Sequence, residues 1–215
     1  MAYWVSGDKG MSDILQIEPT RNCNLKCKHC TRTKFDHGSI TYETYKQILD
    51  EYRGVIPWVK LQGLGEPYLF DELNDYSRVA IGMGYKTMTI TNGTIPIHEC
   101  AFHKIIFSID TLDKSRYYDM RGGEIGLVIN NLLYCISQKW PVEINTVKTI
   151  YNTPEDIVEL KSFAKRHNIP INIVPCEVWV DPCHKDYTKR YDEALQSCLL
   201  HGDDPKIIGT RSLLS

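Results

Sequence analysis

The chain has 215 residues, 42% of them hydrophobic, with a formal net charge of -2. That is enough for one sizeable core. It excludes a nucleic-acid binder that works through a basic stripe, and no apolar run has the length of a membrane-spanning helix. The cations Lys26, Lys28, Arg32 and Lys34 are interleaved with cysteine rather than set out as a phosphate track. The opening "MAYWVSGDKGMSDI" has no charged segment followed by an apolar one, so no secretory signal is expected. The expected compartment is the cytoplasm, where thiols stay reduced. Eight cysteines in that setting argue for metal or catalysis before disulfides.

Residues 1–13 read as an N-terminal segment. Apolar, β-rich runs follow at 14–20, 59–64, 86–91, 104–110, 142–147 and 171–176. Between them lie amphipathic stretches. In "TYETYKQILDEY", Tyr42, Tyr45, Ile48, Leu49 and Tyr52 recur at helical spacing. In "GGEIGLVINNLLYCISQK", Ile125, Val128, Leu132 and Cys135 share a side. In "TPEDIVELKSFAKRH", Thr153 is a cap, Pro154 suits the first helical position and Asp156 the first turn. The third connection, "NGTIPIHECAFH", is too short for a full helix. Strand and helix alternating through six units predicts a parallel α/β core over 14–180, with a short extension over 181–215. Chemistry then belongs at the C-terminal ends of the strands.

Each expected strand does end in polar, glycine or thiol residues. The first is followed by "NCNLKCKHC", with Cys23, Cys27 and Cys30 in nine positions. "GLGEP" (63–67), "TNGT" (91–94), "SIDT" (108–111), Asn145 and "VPC" (174–176) mark the others. Three clustered thiols admit several readings. A structural zinc needs a fourth ligand, which His29 or His37 can provide. A redox disulfide uses one pair and leaves the third thiol idle. A four-iron cubane held by three thiolates keeps one iron open for a small molecule. Three rather than four thiols are the signature of a reactive cluster.

Taken together, CxxxCxxC after the first strand, "GLGEP" after the second, and "TNG", "SID" and "YYDMRGG" beyond resemble the radical S-adenosylmethionine (SAM) superfamily over residues 14–176. The resemblance implies a partial (βα)6 barrel of parallel strands. It implies a [4Fe–4S] cluster on Cys23, Cys27 and Cys30, whose open iron chelates the methionine end of SAM. One electron then cleaves SAM, and the 5′-deoxyadenosyl radical takes hydrogen from a substrate. It further implies SAM contacts. His29 lies against the adenine, Glu66 accepts from the ammonium, and Gly63 and Gly65 allow close backbone approach. Asn92, Ser108 and Asp110 lie near the ribose and methionine moieties. Arg121 steadies the carboxylate, and the backbone at Val174 meets the adenine edge. An electron donor such as flavodoxin or ferredoxin is the implied partner.

Residue chemistry alone leaves alternatives. Glu66 suits a cap of a following helix, His29 a solvent-facing loop, Asn92-Gly93 an ordinary turn, Asp110 a cap near Leu112, and Arg121 the surface. Cys100 and Cys135 read as small buried hydrophobes. Cys176, Cys183 and Cys198 suggest an auxiliary cluster of the kind found in SPASM and twitch extensions, though Cys198 shares a helical face with Tyr191 and Leu195. Cys176 alone, at a strand end, is placed to contact substrate or donate hydrogen. The expected activity is hydrogen abstraction from a peptide or protein. The alternatives are a nucleotide or other small molecule, a glycyl-radical activase, or a non-catalytic zinc or iron–sulfur protein. The ending "GTRSLLS" also leaves open a truncated member.

Overall fold

A computed structural model describes residues 2–5, 14–30, 37–180 and 206–209. Seven strands form one sheet in sequence order. β2 (Ile14–Ile17), β3 (Trp58–Leu61), β4 (Lys86–Thr91), β5 (Lys104–Ser108), β6 (Val142–Lys148) and β7 (Ile171–Pro175) are all parallel. These six are the strands expected from sequence, and they form a half-barrel. β1 (Ala2–Val5), inside the N-terminal segment, adds an antiparallel edge to β2. A separate parallel pair joins β8 (Glu177–Val180) to β9 (Lys206–Gly209).

The helices are α1 (Tyr42–Glu51), α2 (Leu73–Gly82), α3 (Lys114–Arg121), α4 (Ile125–Ser137) and α5 (Pro154–His167). As expected, β4 and β5 are joined without a helix. α5 starts where its sequence says it should. Thr153 Oγ1 accepts from Asp156 N, and the Asp156 carboxylate accepts from Thr153 N, a reciprocal capping box. Its end is Asn168 in the left-handed region.

Alternation along each strand sorts the side chains. Leu15, Ile17, Val59, Leu61, Ile105, Phe107, Val142 and Ile144 point to the helices and form the core with Tyr45, Leu49, Leu73, Val128, Leu132 and Leu160. Each such fully buried side chain contributes about 1.5–3 kcal/mol. Tyr45 stacks on Tyr76 at 4.4 Å, and its hydroxyl donates to the Tyr76 carbonyl. The opposite positions face the interior of the half-barrel: Gln16, Glu18, Met88, Ile90, Ile106, Ser108, Asn145 and Asn172. The register sets Ser108 beside Asn145 and Asn145 beside Asn172. β2 stops short of the expected residue 20 because Pro19 has no amide to donate.

No helix among the described residues is long and apolar enough to cross a membrane.

Candidate functional site

The loop after β2 carries the three cysteines, and its two stems are tied together. Arg21 N donates to the Gly38 carbonyl at 2.8 Å and Ile40 N to the Pro19 carbonyl at 2.9 Å. Its far side rests on the end of α3. Lys28 N donates to the Met120 carbonyl at 2.9 Å, the Cys27 thiol faces the Arg121 carbonyl at 3.9 Å, and Lys28 Nζ sits 5.0 Å from the Tyr151 ring centre. This explains "RGG". Gly122 closes α3 at φ +73°, and a Cβ on Gly123 would stand 2.9 Å from Leu25 of the cysteine loop.

Cys23, Cys27 and Cys30 are not disulfide-bonded, and each is half-buried. Burial pushes Cys27 up to about 12, and the neighbouring Cys30 and Cys23 add to the rise against the lowering effect of Arg121. Among the described residues, no three His, Cys, Asp or Glu side chains are drawn into a closed metal site. His37, one candidate fourth ligand for zinc, is exposed. His29 has a buried Nδ1 without a hydrogen-bond partner. Burial lowers it to about 4, with the Arg121 charge acting the same way, so it is a neutral ring at neutral pH.

The "GLGEP" loop is fastened to the cysteine loop rather than left open. Gln62 N donates to the Ile17 carbonyl at 3.0 Å and Glu66 N to the Asn22 carbonyl at 2.8 Å. A Cβ on Gly65 would lie 2.1 Å from the Thr20 carbonyl oxygen, and one on Gly63 would lie 2.4 Å from Glu18. The two glycines therefore serve a contact between loops.

Glu66 is 2% exposed. Its Oε1 accepts from Thr91 Oγ1 at 2.6 Å and Tyr68 N at 3.1 Å, and its Oε2 accepts from Asn92 N at 2.7 Å. The cap reading is thus also realised, over a short 3-10 turn. Burial raises its pKa, opposed by these hydrogen bonds and by Arg121. A carboxylate offers about four lone-pair sites. Three donors leave room for a cationic one, and a cation there would hold the carboxylate ionised.

Asn92 is buried at the end of β4. Its Nδ2 donates to Asn24 Oδ1 at 2.9 Å and approaches the Cys23 sulfur at 3.9 Å, so it braces the cysteine loop. Asp110 is fully buried and does not cap a helix. The cap of α3 is Asp113, and Asp110 Oδ2 binds Arg121 Nη2 at 2.6 Å and Nε at 2.7 Å. Asp110 Oδ1 accepts from Val147 N at 2.8 Å. Its influence on a ligand therefore runs through Arg121. Arg121 is a buried residue, not a surface one, and two of its five N–H groups are spent on Asp110. Ser108 and Val174 are half-buried at the ends of β5 and on β7, on the interior face.

Cys176 is 3% exposed and disulfide-bonded, so here it is neither a free thiol nor a thiolate ligand. Cys183 and Cys198 lie outside the described residues. Cys135 is fully buried, as expected, and Cys100 half-buried.

The sequence pointed to Thr91 only as part of "TNGT" and passed over Glu18, Gln16 and Gln62 as site residues. Glu18 was detectable as a lone carboxylate directly after a buried strand, three residues before Arg21.

These residues fit a thiolate-held iron–sulfur cluster with SAM beside it. The fit rests on three thiols outside disulfides in the loop after β2, residual acceptor capacity at Glu66, residual donors at Arg121 and the unpartnered Nδ1 of a neutral His29.

Comparison with known proteins agrees. The chain is 27% identical over 161 residues to the AdoMet-dependent heme synthase of Oleidesulfovibrio alaskensis, covering 68% of this chain and 42% of that protein. It is 27% identical over 174 residues to a probable GTP 3′,8-cyclase of Pyrococcus abyssi, covering 76% and 56%. The chain thus spans about half the length of these curated relatives. The fold matches Streptococcus suis SuiB bound to S-adenosylmethionine, with a TM-score of 0.64 at 22% identity, covering 82% of this chain and 44% of that one. It also matches SuiB bound to the precursor peptide SuiA, at 0.62 and 21%, covering 78% and 38%. The model of the radical SAM superfamily matches residues 17–164, and the chain belongs to that superfamily.

Proposed function

We propose that the chain carries the catalytic core of a radical SAM enzyme whose substrate is a peptide or protein. When bound, the cluster supplies the electron that cleaves SAM and so starts hydrogen abstraction. The chain's own residues hold and orient. Cys23, Cys27 and Cys30 would ligate the cluster, Glu66 would accept from the SAM ammonium, Arg121 would donate to its carboxylate, and His29 would stack on the adenine. A flavodoxin or ferredoxin would supply the electron.

One observation favours a peptide. On the interior face, Gln16 is 2% exposed with no partner for Oε1, and Gln62 likewise has a buried, unpartnered Oε1. An unmet buried acceptor costs about 1–3 kcal/mol, which a substrate amide N–H would relieve. Of the cations on this face, Lys104 pairs with Glu143 at 2.8 Å and Arg121 with Asp110, and Lys60 stands beside Gln16 on the neighbouring strand. The SuiB structure with SuiA supports the same reading. A nucleotide substrate is the second reading, favoured by likeness to the probable GTP cyclase.

The test uses reduced, cluster-loaded protein with SAM and either a C-deuterated peptide digest or C-deuterated GTP. Deuterium in 5′-deoxyadenosine from the digest supports the proposal. Deuterium from GTP alone overturns it in favour of the nucleotide.

A further inference from the structure

Glu18 bridges the cysteine loop and the "GLGEP" loop between two backbone hydrogen bonds. These are Gln62 N on the Ile17 carbonyl and Glu66 N on the Asn22 carbonyl. Between them Leu64 N meets no carbonyl of the cysteine loop. The Glu18 side chain takes its place: Oε1 accepts from Leu64 N at 2.8 Å. Its other oxygen, Oε2, accepts from Arg21 Nε at 2.9 Å, two residues before the first cysteine. Both side chains are buried, at 3% and 9% exposure, where a charge-assisted bond is at its strongest.

A second observation is independent of these hydrogen bonds. A Cβ on Gly63 would come within 2.4 Å of Glu18 Cγ and Oε1. The first glycine of the motif is thus shaped to this carboxylate, as the second is shaped to the Thr20 carbonyl.

We propose that Glu18 is a positioning residue that sets the spacing between the cluster-bearing cysteines and Glu66, and through it the affinity for SAM. Glu18 does not touch the ligand. It holds Leu64 on one oxygen and the cysteine loop on the other, so a shift of its carboxylate moves the two halves of the cofactor site relative to each other. Residues that orient ligating groups in this way cost about 10–100-fold when changed.

The experiment compares cluster-loaded wild type with Glu18→Gln and Gly63→Ala. Glu18→Gln keeps the shape and an acceptor but sets a neutral amide against Arg21. Gly63→Ala leaves every charge in place and presses a methyl on the carboxylate. Iron per chain and circular dichroism report the cluster and the fold. SAM affinity is read from the change SAM causes in the electron paramagnetic resonance spectrum of the reduced cluster. The expected result is wild-type iron content in both variants, with SAM bound about 10–100-fold more weakly. Wild-type SAM affinity in both variants overturns the proposal. So does loss of iron in step with loss of SAM, which would make Glu18 a prop of the fold. Gly126→Ala, where an added Cβ meets nothing within 4 Å, is the control for handling.

Discussion

The two sides of the half-barrel mouth are built differently. At the ends of β2, β3 and β4 the loops are cross-linked to one another, although Gln16, Gln62 and His29 each keep a buried atom without a partner. Glu66 is held by Thr91, Asn92 and Tyr68, Asn92 by Asn24, and Leu64 by Glu18. At β5, β6 and β7 the row Ser108, Asn145 and Asn172 stands side by side without such cross-links, and Asn172 is exposed. The first side is fixed before anything binds, which suits a cofactor whose geometry does not vary. The second, together with the unmet acceptors of Gln16 and Gln62 across the interior, is left to be completed by what it meets, which suits a substrate. Pre-organisation is concentrated where binding energy must be turned into orientation.

The comparison can be broken most severely at the cysteines. Cys27→Ala is expected to abolish cluster loading, read as iron per chain and loss of the visible absorbance of the reconstituted protein. Next comes the strut between the two sides. Asp110→Ala leaves the Arg121 guanidinium buried and unpaired, and breaking a buried pair from one side costs about 3–5 kcal/mol. Chemical denaturation measures that loss, and Asp110→Asn should recover part of it. Gly65→Ala forces a methyl against backbone rather than a movable side chain. About 1–3 kcal/mol of stability should go, with weaker SAM binding at unchanged iron content.

A smaller effect is tied to pH. Burial works to raise the pKa of Asp156, but hydrogen bonds from Arg116, Thr111 and Thr153 more than offset it, and the net shift is downward. A carboxylate with a depressed folded-state pKa contributes stability above its unfolded value, and that stability is lost as pH falls through the folded value. Asp156→Asn should therefore lower the melting temperature at pH 7. The gap to wild type should shrink as the pH drops below about 4. The smallest effect sharpens the contrast directly. Asn145→Ala is expected to leave SAM affinity and stability near wild type while slowing substrate-dependent turnover.

The six parallel strands were legible because each is a short β-rich run followed by a break, and the capping box of α5 because Thr153, Pro154 and Asp156 are local. β1 was not legible. "AYWV" is four residues long and gains its strand character only from pairing with β2. The cysteines and Glu66 were legible as residue types at fixed spacing. What spacing cannot show is which partner a polar group chooses. Asp110 turned to Arg121 across eleven positions, and Glu18 to Leu64 across forty-six. Such pairings depend on how strand ends are brought together, which is a property of the sheet rather than of any one segment.

The most direct test of the central claim is anaerobic. Wild type and Cys27→Ala are each reconstituted with iron and sulfide, reduced with dithionite and given SAM, and 5′-deoxyadenosine is measured by mass spectrometry together with the resonance spectrum of the cluster. The account predicts a spectrum that changes on adding SAM and 5′-deoxyadenosine formed by wild type, both absent from Cys27→Ala. A fully loaded wild-type cluster that neither responds to SAM nor yields 5′-deoxyadenosine would contradict it.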